Sequence, residues 1–392
     1  MNSYVDIDRL TPDWEEITHI ILYGTGMIEK TCIGKISSDF TVDYFIDKNY
    51  VDKSVDGFEV LSPDEGLSRM TDQKIIVMTA GRAYHEIADY LEGQELVEYR
   101  DFCSIEDFLS EWYWKYQNLN CVMEVHTAVT TACTLKCRNC NMFIPYYKSK
   151  TEFTVEDADR DLALLFRSAD FVFSYVILGG EPFLAKDICK IIEMIGKKYR
   201  DKIGSLKIIT NGTVVPDDYT MQQLKDNQVW ISISDYTSQV PYEKKINEFI
   251  SKLNEYGIYY TVNKSLRWNE FGFPSAPLSI PASEAAKHMI SCSPVFHGVN
   301  EGKYYYCHVA WSAEKSGLFQ LSDDDYIDLT KVDPHKPEDR RRIVLHSLGM
   351  MDKGYVSLCR YCGGCGSDNT NYVTAGVQVK KLESIDNYEE IF

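Results

Sequence analysis

The sequence predicts an α/β protein built on parallel sheets, arranged as two successive α/β units and a cysteine-bearing tail. Three observations predict it. Short apolar runs alternate with stretches of helical period along most of the 392 residues, and strands that alternate with helices imply parallel pairing. One of these runs, Phe171–Leu178, is almost continuously apolar, as expected of a parallel strand covered on both faces. The 12 cysteines, finally, are unevenly placed: Cys32, Cys103, Cys121 and Cys189 are scattered, and eight fall in two groups, at 133–140 and 292–365. Without a secretion signal, grouped cysteines point to metal more than to disulfides.

Composition sets outer limits. With 44% hydrophobic and 26% charged residues the chain reads as a soluble globular protein, long enough for two or three domains. A net charge of -18 argues against nucleic acid or an anionic membrane as partner, because polyanions would be repelled over most of the surface. The start, Met1 to Arg9, has no basic or apolar leader region, and no stretch approaches the roughly 18 apolar residues of a membrane span. A cytoplasmic protein is expected. The oligomeric state is not indicated.

Residues 17–23 form an apolar run that ends at Gly24-Thr-Gly26, which a helix can follow, and Val42–Asp47 places an acid about 20 residues later. This is the pattern of a Rossmann-like nucleotide turn, with Gly24, Gly26 and Asp47 as its candidate residues. The third glycine of that pattern is replaced by Glu29. A strand at Lys74–Thr79, a helix at about 82–95 and a last strand at Leu96–Phe102 complete a unit assigned to residues 1–103. It resembles the small nucleotide-binding-like domain that precedes some sugar-modifying enzymes. A degenerate scaffold and a working nucleotide site are both open.

Residues 104–120 carry Phe108, Trp112, Tyr113, Trp114 and Tyr116 and read as an amphipathic connecting helix. A second unit is assigned to 121–270. Its expected strands are Cys121–Thr127, Phe171–Leu178, Leu206–Thr210, Val229–Ser234 and Ile258–Val262, with helices at 154–167, 184–199, 217–226 and 241–255 between them. Residues 271–281 contain Pro274, Pro277 and Pro281, which excludes a helix interior, and open a tail assigned to 271–392. Asp323–Asp325 and Arg340–Arg342 read as solvated surface.

The chemistry gathers on Cys133-Thr-Leu-Lys-Cys137-Arg-Asn-Cys140. Three thiols at this spacing can converge on one iron–sulfur cluster and leave one iron open, and thiolates suit Fe–S clusters or zinc. A zinc knuckle or three buried core cysteines are the alternatives. The spacing resembles the signature of the radical S-adenosylmethionine (radical SAM) superfamily, in which the unique iron of a [4Fe–4S] cluster chelates AdoMet and one electron cleaves it to methionine and a 5′-deoxyadenosyl radical. Asn139 stands where the family often has an aromatic residue. The Gly179-Gly180-Glu181-Pro182 element, at the end of a strand and about 40 residues after the cysteines, resembles the family's methionine-binding turn. The resemblance implies a partial (β/α)6 barrel with chemistry at its C-terminal strand ends. It places Asn211, Ser232 and Ser234 near the ribose and the methionine carboxylate. Asp235 either reaches the substrate or caps the next turn.

In the tail, Cys292, nine residues, Gly302, four residues and Cys307 match the Cys-x9-15-Gly-x4-Cys element of the SPASM and Twitch extensions, with Gly302 making a hairpin turn and Lys303–His308 a strand. A full SPASM tail has seven cysteines; this tail has five, which supports a single auxiliary cluster. Cys292, Cys307, Cys359 and Cys362 would close it, with Cys365 spare or exchanging, and a zinc ribbon is the alternative.

The resemblance therefore implies two [4Fe–4S] clusters, AdoMet, and a one-electron donor such as flavodoxin or ferredoxin. It also implies hydrogen-atom abstraction from a carbohydrate-like or nucleotide-linked small molecule, with dehydrogenation as the main reading and Cys365 or Asp235 as candidate catalytic residues. An epimerase, a maturase of ribosomally made peptides and a non-catalytic Fe–S or zinc scaffold are the alternatives.

Overall fold

The computed structural model describes residues 14–49, 54–79, 81–264, 266–292, 296–366 and 368–379; the first nine residues, read above for a leader, lie outside these. The first unit runs β1 (His19–Tyr23), α1 (Met27–Asp39), β2 (Thr41–Ile46), β3 (Ser54–Val55), β4 (Phe58–Leu61), α2 (Pro63–Arg69), β5 (Lys74–Val77), α3 (Gly81–Gly93) and β6 (Phe102–Ser104). Its strands lie in the order β3-β4-β2-β1-β5-β6, parallel except for the β3–β4 hairpin. Ile20, Ile21, Leu22, Ile75 and Ile76 are wholly buried, as both-face coverage requires. The last strand starts later than the expected 96–102. Val97 O accepts from the amides of Arg100 and Asp101, and this turn occupies the residues ahead of β6.

A continuous helical segment, α4 (105–117), follows, with Phe108–Trp112 wound as a π-helix. The expected amphipathic connector is instead buried from Phe108 to Tyr113. Phe40 of α1's C-terminus packs edge-on against Phe108, Trp112 and Tyr113, and Tyr113 in turn meets Phe173. One hydrophobic cluster thus joins Cys32 and Ile36 of α1 to Cys121 and Phe173, across both boundaries of the connector.

The second unit runs β7 (Cys121–Ala128), α5 (Val155–Leu165), β8 (Phe171–Leu178), α6 (Ile188–Lys198), β9 (Ile203–Thr210), α7 (Asp218–Asp226), β10 (Val229–Ser234), α8 (Glu243–Tyr256) and β11 (Tyr260–Asn263). The five strands are parallel and in sequential order. Their outward residues, such as Ile177, Leu206, Ile208 and Ile231, share a core with Leu162, Ile192 and Phe249 of the helices. The inward face carries polar groups instead.

The tail comprises β12 (Arg267–Asn269), α9 (Ala282–Ser291), β13 (Gly298–Asn300), β14 (Lys303–Tyr305), α10 (His308–Lys315), β15 (Tyr326–Asp328), α11 (Pro337–Ser347) and β16 (Tyr372–Thr374). β13 pairs with the edge of β7, extending the sheet to the order β11-β10-β9-β8-β7-β13-β14-β15, and among the described residues the sheet does not close into a barrel. The expected Gly302 turn forms: Glu301 and Gly302 both have positive φ (56° and 75°), and both amides donate to the Asp161 carboxylate at 2.8 Å. The strand after it ends at Tyr305, and His308 begins a helix.

Two charge runs expected at the surface are partly buried. Asp325 is 1% exposed and accepts from Lys353 Nζ at 2.7 Å and from the Ser357 amide at 2.7 Å. Arg341 is buried against Glu111 and donates to Ser110 O at 2.7 Å, tying α11 to α4. In each run one member turns inward because a partner on another element awaits it.

Candidate active site

The C-terminal ends of β7 to β10 open into a cavity of 410 Å³ whose wall includes Cys133, Cys137, Cys140, Gly179, Gly180 and Asn211. The strand–loop geometry explains how they meet. Gly180 N donates to Thr130 O and Glu181 N to Ala132 O, both at 2.8 Å, so the end of β8 runs beside the segment that leads into Cys133. Only glycine fits there. A Cβ on Gly179 would lie 2.3 Å from Thr130 O, and one on Gly180 would lie 2.1 Å from Ala132 O.

The three thiols are supplied with N–H donors. Cys133 Sγ receives the Leu135 amide at 3.4 Å and Asn211 Nδ2 at 3.5 Å, and Cys137 Sγ receives Gln378 Nε2 at 3.2 Å. Backbone amides of Met142, Phe143 and Ile144 point to Cys140. Such donors stabilise thiolate ligands of an Fe–S cluster, so the residues present fit one. Burial pushes the free thiol of Cys133 up to about 12 and those of Cys137 and Cys140 to about 11, so loading a cluster releases protons.

Other predicted residues fall less uniformly. Ser234 is on the cavity wall with Tyr236, whereas Ser232 lies deeper on β10 and is not on that wall. Asp235 is corrected: strand alternation turns it away from Ser234 and Tyr236, its carboxylate accepts the Thr237 amide at 2.8 Å, and it caps a turn. Glu181 is wholly buried behind the cavity, accepting from Thr210 Oγ1 (2.7 Å), the Asn211 amide (2.9 Å) and the Phe183 amide (3.3 Å); burial outweighs these bonds and pushes its carboxyl up to about 7. It locks β8 to β9, and Pro182 opens the short helical turn behind it. In the first unit, Asp47 is occupied by the turn it was expected to serve. One oxygen accepts from Thr25 N and Oγ1 at 3.1 and 2.8 Å, the other from Asn49 N at 2.8 Å. Gly24 has φ +115° and Gly26 caps α1 without a side-chain bond.

The tail cysteines meet at a second, smaller cavity of 40 Å³, lined by Cys292, Cys307, Cys359, Cys362 and Cys365. Cys292 and Cys365 approach to 3.4 Å, which lowers the first thiol and raises the second; burial pushes Cys307 and Cys362 up to about 12. Among the described residues no group of three or more His, Cys, Asp or Glu side chains is drawn together around a single ion. Cys365 lines both cavities.

Residues the sequence did not single out complete the wall. His126 Nε2 donates at 2.7 Å to the Glu124 carboxylate, which also receives Ser174 Oγ at 2.8 Å and Lys207 Nζ at 3.4 Å. Burial opposes the charge of Glu124, but His126, Lys207 and Ser174 outweigh it and hold the carboxyl below its usual range. His308 stacks on Trp311 at 4.7 Å, over Gly298, where a Cβ would strike its ring at 2.3 Å. Asn300 Oδ1 already accepts the Ala128 amide at 3.0 Å, so the imidazole Nε2 at 2.9 Å is the donor; Nδ1 is left a bare acceptor, buried and unpartnered. For Glu124, His126, Ser174 and Lys207 the sequence signal was the polar character of positions in β7 to β9; His308 and Asn300, on α10 and β13, carried none.

The model of the radical SAM superfamily matches residues 127–256. Residues 127–256 are a radical SAM domain. The matched segment covers β8 to β10 whole and the cysteine loop, and the family implies a [4Fe–4S] cluster and AdoMet. Similar solved structures include anSMEcpe with bound AdoMet and Cp18Cys peptide, 19% identical with a TM-score of 0.29 over 36% of this chain and 42% of that one. Streptococcus suis SuiB bound to precursor peptide SuiA is 17% identical, with a TM-score of 0.31 over 51% of this chain and 42% of that one. SuiB bound to S-adenosylmethionine is 18% identical, with a TM-score of 0.31 over 46% and 44%. The chain thus spans under half the length of these proteins. No curated protein matches it. Among the described residues no helix is long and apolar enough to cross a membrane.

Proposed function

We propose that this radical SAM protein is an oxidoreductase with an auxiliary [4Fe–4S] cluster on Cys292, Cys307, Cys359 and Cys362, acting on a hydroxyl-bearing, carbohydrate-like small molecule in the central cavity. The observation that carries the reading is the shared wall at Cys365, which sets the tail thiols directly behind the AdoMet-side cavity. When bound, the Cys133–Cys140 cluster and AdoMet supply one-electron sulfonium cleavage and a carbon radical that removes a hydrogen atom. Asn211, through Cys133 and Thr134, holds the cluster loop against the strand ends. Trp268, Phe271 and Phe296 give the cavity apolar wall that limits water. His126, oriented by Glu124, takes a hydroxyl proton as the substrate is oxidised.

A peptide substrate is the second reading. It is favoured by the open edge of β11, beside which Val262 and Leu266 are 37% and 70% exposed, an arrangement that an extended peptide can extend as a further strand. The peptides in the anSMEcpe and SuiB structures point the same way.

With dithionite and AdoMet, anaerobically reconstituted wild type should release 5′-deoxyadenosine and hold about eight irons, two cubanes per chain. Replacing Cys133, Cys137 and Cys140 together by Ala should leave about four and abolish cleavage. Zinc in the tail after anaerobic purification would refute the auxiliary cluster. Turnover of nucleotide-linked sugars in deuterium oxide should yield a new carbonyl; solvent deuterium at an inverted centre with no carbonyl would make the protein an epimerase.

A further inference from the structure

The C-terminal strap, from Asn369 to Val379, joins the two thiol sites. At its start Asn369 Nδ2 donates to Gly364 O at 2.7 Å, beside Cys365, and to Glu270 O at 3.0 Å. β16 then pairs with β12, whose Arg267, Trp268 and Asn269 line the central cavity. Gly376, at φ +76°, lets the strap cross Tyr236, where an added Cβ would meet the side chain at 2.9 Å. Beyond it the strap runs along the cluster loop: Arg138 N donates to Val377 O at 2.7 Å and Val379 N to Lys136 O at 2.9 Å.

Gln378 sits at the centre of this contact, 241 residues from the cysteine it touches. Its orientation is set by groups that leave no choice. Oε1 accepts the Lys136 amide at 2.7 Å, which only an oxygen can do, and Nε2 donates to Gly376 O at 2.7 Å, which only the nitrogen can do. The second Nε2 proton is therefore directed at Cys137 Sγ, 3.2 Å away. A neutral donor held against a thiolate favours whichever redox state carries more negative charge, and for an Fe–S cluster that is the reduced one.

We propose that Gln378 is a positioning residue of the AdoMet-side cluster, clamping Lys136–Arg138 and raising the cluster's reduction potential through its N–H···S bond to Cys137. The inference rests on the reading of Cys133, Cys137 and Cys140 as cluster ligands. It makes the strap part of the reductive machinery: a radical SAM chain with residues 369–379 displaced would hold a cluster harder to reduce.

The test is an EPR-monitored redox titration of the reconstituted full chain, with the AdoMet-side signal identified by its response to AdoMet. Q378E keeps an acceptor for the Lys136 amide but loses the donor, and Q378L loses both. In Q378E the midpoint should move negative by about a tenfold change in the electron equilibrium, about 59 mV for a one-electron couple. Q378L should move the same way, and the auxiliary signal should stay put in both. If Q378L loses the loop altogether, the Q378E shift decides. Unchanged midpoints, equal shifts of both signals, or loss of AdoMet-side iron from Q378E would overturn the proposal, the last leaving Gln378 a purely structural clamp. A wild-type protein with no AdoMet-responsive signal would instead overturn the functional reading, before any substitution is made.

Discussion

Substituting Gly180 by Ala tests the geometry of the cluster loop most directly. The added Cβ would sit 2.1 Å from Ala132 O, 2.6 Å from Ala132 C and 3.0 Å from Cys133 Cβ, all of them backbone or rigid atoms. An ordinary contact needs roughly 1 Å more, so the loop or the end of β8 must move by that amount. Such a displacement breaks the 2.8 Å bond from Glu181 N to Ala132 O. Overpacking of this kind costs about 1–3 kcal/mol, and the lost hydrogen bond about another 1 kcal/mol. The next residue is Cys133, so the displacement falls on a proposed cluster ligand. A misplacement of about 1 Å at a reacting centre lowers rate on the order of 100-fold. We expect reductive AdoMet cleavage by G180A to fall by about that factor, measured as 5′-deoxyadenosine released under dithionite, while tail iron is retained. Wild-type cleavage kinetics in a folded G180A protein would refute the close-packed arrangement of the strand end and the cysteine loop.

Two further outcomes follow from buried contacts. Arg341→Met leaves Glu111 buried without its partner and should cost about 3–5 kcal/mol in chemical denaturation, whereas R341M/E111L should be close to neutral. Burial already raises the Glu111 carboxyl against the lowering effect of Arg341. Removing the arginine raises it further, so the folded variant binds more protons than the unfolded chain. Its deficit should be smallest below about pH 4 and grow as pH rises through the folded pKa; a deficit independent of pH would count against the pair. In the tail, C365A should keep about eight irons while C359A falls to about four, and the reverse pattern would make Cys365 a ligand.

The local chemistry was legible in the sequence because its determinants lie within a few residues of one another. The Gly179-Gly180 turn, the Gly302 turn and the strands β7 to β10 rest on period or turn chemistry and form close to where the pattern put them, whereas β11 starts two residues later than expected and the strand after Gly302 stops at Tyr305. Position along an element does not say which neighbour a side chain meets. Tertiary packing therefore decided that α4 is core rather than connector, since Phe40 and Phe173 approach it from opposite sides. It turned Asp235 into its own turn and Arg341 toward Glu111. It put His126 and His308 on the wall and Glu124 behind His126, with partners Ser174, Lys207 and Asn300 that come from separate strands. Above all it brought Gln378 onto Cys137, a contact no local pattern encodes, because its closure depends on the whole sheet and tail being assembled between the two residues.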